Sequence, residues 1–375
     1  MPPRTCKRLA EISAPTFFRS VRLKEADIKR HYRLAENAQH LGGLVRHLGL
    51  VLEYGLADNN SLPIYKMLSS MPNVRSLTIV HRQQDVAKHT PLHHAVEKFV
   101  HLEEITIQED NYNSDNIRAA VPRVAIAETF FHTFLCSVLR VHSRRLKALH
   151  LLTPLPLDPQ LYIDLRDKTP NLRSITFTAN IGVDMEGVFA EPIPWASGQM
   201  GHLENLTLRW CTGTHADRFV QNILQGVYGT HLKEVQFIGS GRYLVHIPEP
   251  PSSPVFALVE RLHFDHINPQ ELSTIALLPI QELSLTCITH DAFSRLPIIL
   301  EGGLFSPGGA QPGFRGLRRL RLNPKLASRM SQEGFPAECK AAYKELRERC
   351  LPQRGIQLTL DAVVRSLNCV CNNHE

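Results

Sequence analysis

One pattern recurs along most of this 375-residue chain and restricts its fold more than any other feature: apolar, two variable residues, apolar, one variable residue, apolar. It spans Val45–Leu50, Val74–Ile79, Leu102–Ile107, Leu146–Leu151 and Leu172–Phe177. It continues as Leu203–Leu208, Leu232–Phe237, Val259–Phe264, Ile280–Leu285 and Leu317–Leu322, with a looser copy at Ile356–Leu360. The closing apolar-x-apolar stretch is strand alternation, which puts every second side chain on one buried face. The first apolar residue turns inward just before the strand. A lone strand of this kind cannot cover its own apolar face, so copies must stack to bury a continuous core.

The copies lie roughly 30 residues apart, near the 20–29 of leucine-rich repeats. Between them the sequence predicts helices. Leu62, Tyr65, Leu68 and Met71 have helical spacing, as do Leu92, Val96 and Val100 after Thr90-Pro91. Phe130 to Val141 is strongly apolar, and Phe219, Ile223 and Val227 share a face. Further helices are expected from Pro269 and over Asp291 to Leu300. The expected fold is therefore α/β, a leucine-rich-repeat solenoid or horseshoe of about ten irregular repeats forming one continuous domain. Parallel strands would line its concave side and helices its convex side.

Two steps are longer than the period. The step from Leu102 to Leu146 carries the acidic stretch Glu109 to Ser114-Asp115, and the step from Ile280 to Leu317 carries the Gly/Pro-rich segment 302–313. Both read as loop insertions, where extra length costs little. The array divides into an N-terminal cap over 1–40, repeats with a C-terminal cap over 41–361, and a tail over 362–375. In the C-terminal cap Pro336 to Cys350 reads as an amphipathic helix with Ala341, Leu346 and Cys350 inward.

Composition narrows the class. The chain is 43% apolar and 21% charged, ordinary globular usage that excludes wholesale disorder. There is no run of roughly 18–20 apolar residues for a membrane helix and no apolar segment behind the basic N-terminus for a signal peptide. Eight Cys form no Cys-x-x-Cys pair. Reduced thiols in a cytoplasmic or nuclear protein are the expectation, with no membrane contact.

Enzymatic motifs are missing. There is no Gly-x-Gly-x-x-Gly, no Gly-rich loop ending in Lys-Ser/Thr and no Gly-x-Ser-x-Gly. His94, Glu97 and His101 share a predicted helix face, but the zincin pattern is absent and a solvated face is the simpler reading. No catalytic residue, metal or cofactor is expected.

The variable residues of the strands point to solvent and are the candidates for partner contact. They include His150, Glu234, Arg261, His263, Arg319 and Arg321. Arg209 and Trp210, then Asp265 and His266, lie just past their strands. Trp and Arg are typical interface anchors, although Trp210 fits the core equally well. Arg315, Arg318, Arg319, Arg321, Lys325 and Arg329 form a basic run that fits an acidic peptide or phosphate, with a solvated strand face as the simpler reading. It has no interleaved aromatics, so nucleic acid is not expected. The charge of +6, from 42 Lys+Arg against 36 Asp+Glu, is a small sum over this run and the acidic insertion.

The ends carry a resemblance. Cys6-Lys7-Arg8-Leu9-Ala10-Glu11-Ile12 followed by Pro15-Thr16-Phe17-Phe18-Arg19-Ser20-Val21-Arg22-Leu23 resembles the end of an F-box and its junction into leucine-rich repeats. Val45–Leu50 resembles the early strand that follows. Arg347-Glu348-Arg349-Cys350 and Arg354-Gly355-Ile356-Gln357-Leu358-Thr359-Leu360 resemble the closing helix and strand of the fungal F-box/leucine-rich-repeat family. The resemblance implies the substrate-binding part of a receptor for a cullin-RING ubiquitin ligase. Such a module catalyses nothing and holds a protein substrate on the concave face. Few residues precede Val21, so most of an F-box is expected to be missing, and the ligase adaptor would bind only if an F-box stands upstream. The alternative is a leucine-rich-repeat scaffold with no ubiquitin-ligase link.

Overall fold

A computed structural model describes residues 18–24, 42–52, 67–81, 92–109, 133–152, 164–165, 168–180, 203–211, 232–240, 258–267, 269–301, 313–323 and 336–360. They belong to two compact units. The first holds the described residues up to Thr178, and the second those from Ala179 onward.

The first unit contains β1 (Ser20–Lys24), β2 (His47–Leu52), β3 (Ser76–His81), β4 (Glu104–Glu109), β5 (Ala148–Leu151) and, apart from its last two residues, β6 (Ser174–Asn180). Each strand pairs in parallel with the next in chain order. The second contains β7 (Asn205–Cys211), β8 (Glu234–Ser240), β9 (Arg261–Ile267), β10 (Glu282–Ile288), β11 (Arg319–Leu322) and β12 (Gln357–Leu360). These too pair in parallel, each with its successor. Both units are α/β with a repeat-like parallel sheet, and every strand from β2 to β11 falls on a copy of the sequence pattern.

The register explains the pattern. Leu149, Leu151, Leu206, Leu208, Leu283, Leu285, Leu320 and Leu322 are all buried, and so are the apolar residues that precede the strands, such as Val74, Leu146, Leu232 and Ile280. The two variable residues between them have a backbone role. In the first unit, the N–H groups of Lys147 and Ala148 both point to Glu103 O, at 2.7 and 3.1 Å, and those of Arg173 and Ser174 both point to Lys147 O. In the second, Glu260 and Arg261 share Lys233 O, Gln281 and Glu282 share Glu260 O, and Arg318 and Arg319 share Gln281 O. One carbonyl per repeat thus receives two amides of the following repeat. This pairs the backbone amides of the turn before each strand and locks successive copies in register.

Helices cover one face of each sheet. In the first unit Leu92–Val96 and residues 133–142 are helical. In the second, helices span Pro269–Ile275, His290–Glu301 and Ala337–Glu345. Two inward positions differ from the sequence reading. Val100 is exposed and Phe99 is buried instead, because the helix ends before Val100 can complete the stripe. Ala341 is also exposed, while Cys339 and Ala342 face the core. Past Glu345 the last turn widens, with Leu351 N–H reaching back to Leu346 O. The inward phase is thereby shifted, and Leu346 and Cys350 are buried as expected.

The C-terminal cap is closed by Gly355, whose φ of 64° is the left-handed conformation that ends a helix without a Cβ penalty. Gly355 N–H bonds Pro352 O and Ile356 N–H bonds Leu351 O. Next to it the Arg354 guanidinium donates to Leu300 O, Gly313 O and Phe314 O, at 2.8, 2.9 and 2.8 Å. Phe314 is fully buried at a φ of 53°, unusual for a residue with a Cβ. Arg354 holds that carbonyl where packing requires it.

Residues 61–66 of the helix expected up to Met71, the expected helix at 216–227, the acidic stretch 110–115, most of the Gly/Pro insertion, most of the N-terminal cap and the tail lie outside the described residues, while 67–69 are helical. No helix among the described residues is long and apolar enough to cross a membrane.

Candidate functional site

The repeat places one variable residue of each strand beside its counterpart on the next. In the second unit the register Glu234↔Arg261↔Glu282↔Arg319 sets acid, base, acid, base across β8 to β11. The next row along the strands is Gln236↔His263↔Ser284↔Arg321. By strand alternation both rows lie on the face opposite the buried leucines. Apart from Gln236, their residues line a depression of about 240 Å³ with a single apolar contributor, Leu262.

Charges in the first row pair with their neighbours. Arg261 Nη2 lies 2.8 Å from Glu234 Oε2, and Gln236 Nε2 donates to the other Glu234 oxygen at 2.5 Å. Glu282 is held twice: Oε2 is 3.3 Å from Arg319 Nη1 and Oε1 is 2.7 Å from Arg321 Nε. Arg261 and Arg319 keep 49% and 41% of their side chains exposed, so the guanidiniums form an accessible rim. Three guanidiniums face two carboxylates, and the depression carries an excess of positive charge.

The floor is polar and buried. His263 was expected to face solvent but is only 3% exposed, and Ser284 and Thr286 are buried beside it. Alternation alone predicts exposure for these residues. β9 and β10 are each flanked by a strand on both sides, which leaves these residues less open than alternation alone implies. His263 Nδ1 meets Ser284 Oγ at 2.9 Å and Nε2 meets Thr286 Oγ1 at 3.4 Å. With a hydroxyl at each ring nitrogen and no carboxylate, burial holds His263 down to about 4, so it is neutral at physiological pH. The Ser284–His263 contact has the length of a catalytic dyad, but a hydroxyl stands where a triad would place a carboxylate.

Asp265 continues this buried polar chain. Burial pushes its carboxyl up to about 6, against a hydrogen bond from Thr286 and the charge of Arg209. Its Oδ1 has no hydrogen-bond partner among the described residues. Arg209, Trp210, Asp265 and His266 were expected just past their strands. They lie within β7 and β9 instead, because parallel pairing continues through Arg209↔Ile238, Trp210↔Gly239 and Cys287↔His266. The side chains of Trp210 and His266, and Lys325 and Arg329 of the basic run, lie outside the described residues.

Sequence reasoning named Glu234, Arg261, His263, Arg319 and Arg321, and the depression gathers all five. Glu282 and Ser284 stand in the same two rows of solvent-facing strand positions, although neither is among the named partner contacts. His150 belongs to the other unit, on β5, where Nδ1 meets Thr176 Oγ1 at 2.9 Å and Nε2 lies 4.0 Å from Glu104. Burial lowers its pKa, with Glu104 opposing.

The metal candidate of the sequence is engaged otherwise. Glu97 takes Ser137 Oγ at 2.7 Å and the Arg140 guanidinium, and His94 is 3.9 Å away. Glu301, Glu345 and Cys350 also lie close together, but the Arg349 guanidinium bonds both carboxylates there.

No family model matches this chain, and no curated protein matches it.

Proposed function

We propose that the chain is a non-enzymatic protein-recognition module that holds a protein partner on the charged strand face of its second unit. The observation that carries this reading is the alternating row Glu234, Arg261, Glu282, Arg319 on four adjacent strands. Backbone register fixes the spacing of these charges, and a fixed pattern of part-exposed charge selects partners by complementarity. Arg is also a preferred interface anchor.

The finer reading is a leucine-rich-repeat horseshoe acting as the substrate-binding part of an F-box receptor in a cullin-RING ubiquitin ligase. The resemblance at the two ends of the sequence supports it. In that role the module raises the effective concentration of substrate lysines at the ligase and performs no chemistry itself. The ligase adaptor is a partner where an F-box precedes these repeats. An interaction scaffold without the ligase is the competing reading.

Affinity purification from cells expressing the native gene product separates the two. Co-purification of the ligase adaptor and cullin is the expected result. Protein partners retained without any adaptor would overturn the ligase reading in favour of the scaffold. Charge reversal of Arg319 and Arg321 that left partner binding unchanged would remove this strand face from the account.

A further inference from the structure

We propose that the depression over β8 to β11 is a carboxylate-exchange site for an acidic linear peptide with two acidic residues three positions apart. An incoming carboxylate takes the place of Glu282 on Arg319, while Glu282 stays on Arg321. A second incoming carboxylate meets Arg261. This deepens the recognition reading and rests on it.

Charge complementarity sets the sign of the ligand. The lining holds Arg261, Arg319 and Arg321 against Glu234 and Glu282. The two internal carboxylates occupy only part of the donor capacity. A guanidinium has five N–H donors, whereas Arg261 meets Glu234 through Nη2 and Arg319 meets Glu282 through Nη1. Both arginines can therefore accept a bidentate carboxylate, the stronger geometry for this pair.

Exposure singles out the exchangeable contact. Arg319 keeps 41% of its side chain exposed against 27% for Arg321, so an incoming group reaches it first. Its 3.3 Å contact with Glu282 is a hydrogen bond, whereas Arg321 Nε, 2.7 Å from Glu282, makes an ion pair without hydrogen-bond geometry. Releasing Arg319 leaves Glu282 still paired, so no buried charge is stranded. Glu282 is in effect a built-in competitor. It keeps the site from binding every passing anion and is displaced only by a ligand that makes better use of Arg319.

Spacing sets the peptide. Arg261 and Arg319 stand on β9 and β11, two strands apart in one row. Neighbouring strands lie about 4.8 Å apart, which separates the two guanidinium stems by about 9.6 Å. Three residues of a polyproline II chain make one turn, return the side chain to the same face and rise about 9.3 Å. A peptide crossing the strands in that conformation thus matches acid-x-x-acid and mismatches adjacent acids. The volume of about 240 Å³ is below the roughly 300–1,000 Å³ of small-molecule pockets, so it suits side chains laid in from a chain.

The test uses the full 375-residue chain and labelled acetyl-Ser-Glu-Ser-Ser-Glu-Ser-amide, followed by fluorescence polarisation. The probe is expected to bind at least tenfold tighter than its Gln-for-Glu counterpart, and tighter than an isomer with adjacent glutamates. Arg319→Gln is expected to weaken binding about tenfold. Glu282→Gln is expected to tighten it several-fold, a gain that misfolding cannot produce. Thermal unfolding checks both variants; should Glu282→Gln not fold, the Arg319→Gln and spacing comparisons decide. Equal or weaker binding by a folded Glu282→Gln, indifference to spacing, or no binding to wild type would overturn the proposal. A cellular partner still retained by a chain that ignores the probe would overturn the acidic-peptide site and leave the recognition reading standing. Tighter binding of a single-stranded oligonucleotide than of the probe would likewise overturn it.

Discussion

Glu282 and Arg321 meet diagonally across β10 and β11, with Oε1 and Nε 2.7 Å apart, while the residue directly opposite Glu282 in the register is Arg319. One carboxylate thereby ties two arginines of the same strand to its own. The pair is only part exposed, so its coupling should lie at the upper end of surface ion pairs, about 1 kcal/mol. A double-mutant cycle of Glu282→Ala and Arg321→Ala, read by urea unfolding, measures it. Additive single effects would show that the contact contributes nothing to stability.

The buried neighbours His263 and Asp265 should oppose each other in pH. Burial lowers His263 from 6.5 to about 4 and raises Asp265 from 3.8 to about 6. His263 binds a proton less tightly when folded, so its contribution is complete above pH 6.5 and is lost as pH falls through 4. Asp265 binds its proton more tightly when folded, so its contribution is complete below pH 3.8 and is lost as pH rises through 6. Each amounts to about 3 kcal/mol at 1.36 kcal/mol per pH unit. The stability of Asp265→Asn relative to wild type should fall between pH 6.5 and 4. That of His263→Gln should rise over the same interval. Thermal unfolding across this range gives both differences, and parallel curves for the three proteins would contradict the assignment.

The Arg354 clamp should be a weak point of the C-terminal cap. Its guanidinium holds three carbonyls, among them that of left-handed Phe314. Hydrogen bonds to a charged group contribute about 1.5–3 kcal/mol each when well made, and removal here takes several at once. Arg354→Ala should destabilise the second unit by about 2–4 kcal/mol, and hydrogen exchange should rise first at Phe314 and Ile356. Unchanged exchange there would show that packing alone fixes the cap.

The shared carbonyls predict where proline is not tolerated. Lys147 N–H donates to Glu103 O at 2.7 Å, next to the bond from Ala148. Lys147→Pro should cost about 1–3 kcal/mol by denaturant unfolding. Lys147→Gln, which loses only an exposed ion pair with Glu103, should stay within about 1 kcal/mol of wild type.

The strands were legible because burial forces a spacing that polar substitutions cannot hide. Val74, Leu77 and Ile79 recur as Ile280, Leu283 and Leu285. Strand length was less legible. Trp210 and His266 sit in strands because a neighbour continues to pair with them, and pairing leaves no mark on local apolar spacing. The site was half legible for a similar reason. Aligning the copies already puts Glu282 between Arg261 and Arg319. The diagonal reach of Arg321 depends on side-chain conformation, and the burial of His263 depends on its neighbours. Neither is written in spacing. The inward phase at Ala342 rather than Ala341 belongs to the same class, since it is fixed by how the helix docks.

Photo-crosslinking tests the central claim most directly. A benzophenone amino acid replaces, one at a time, Arg261 and Arg319 on the strand face, or Leu277 and Ile298, exposed on the helical side of the same unit. Adducts with the co-purified partner from the two strand positions, and none from the two helical positions, are the predicted result. Adducts from Leu277 or Ile298 alone would contradict recognition through the strand face.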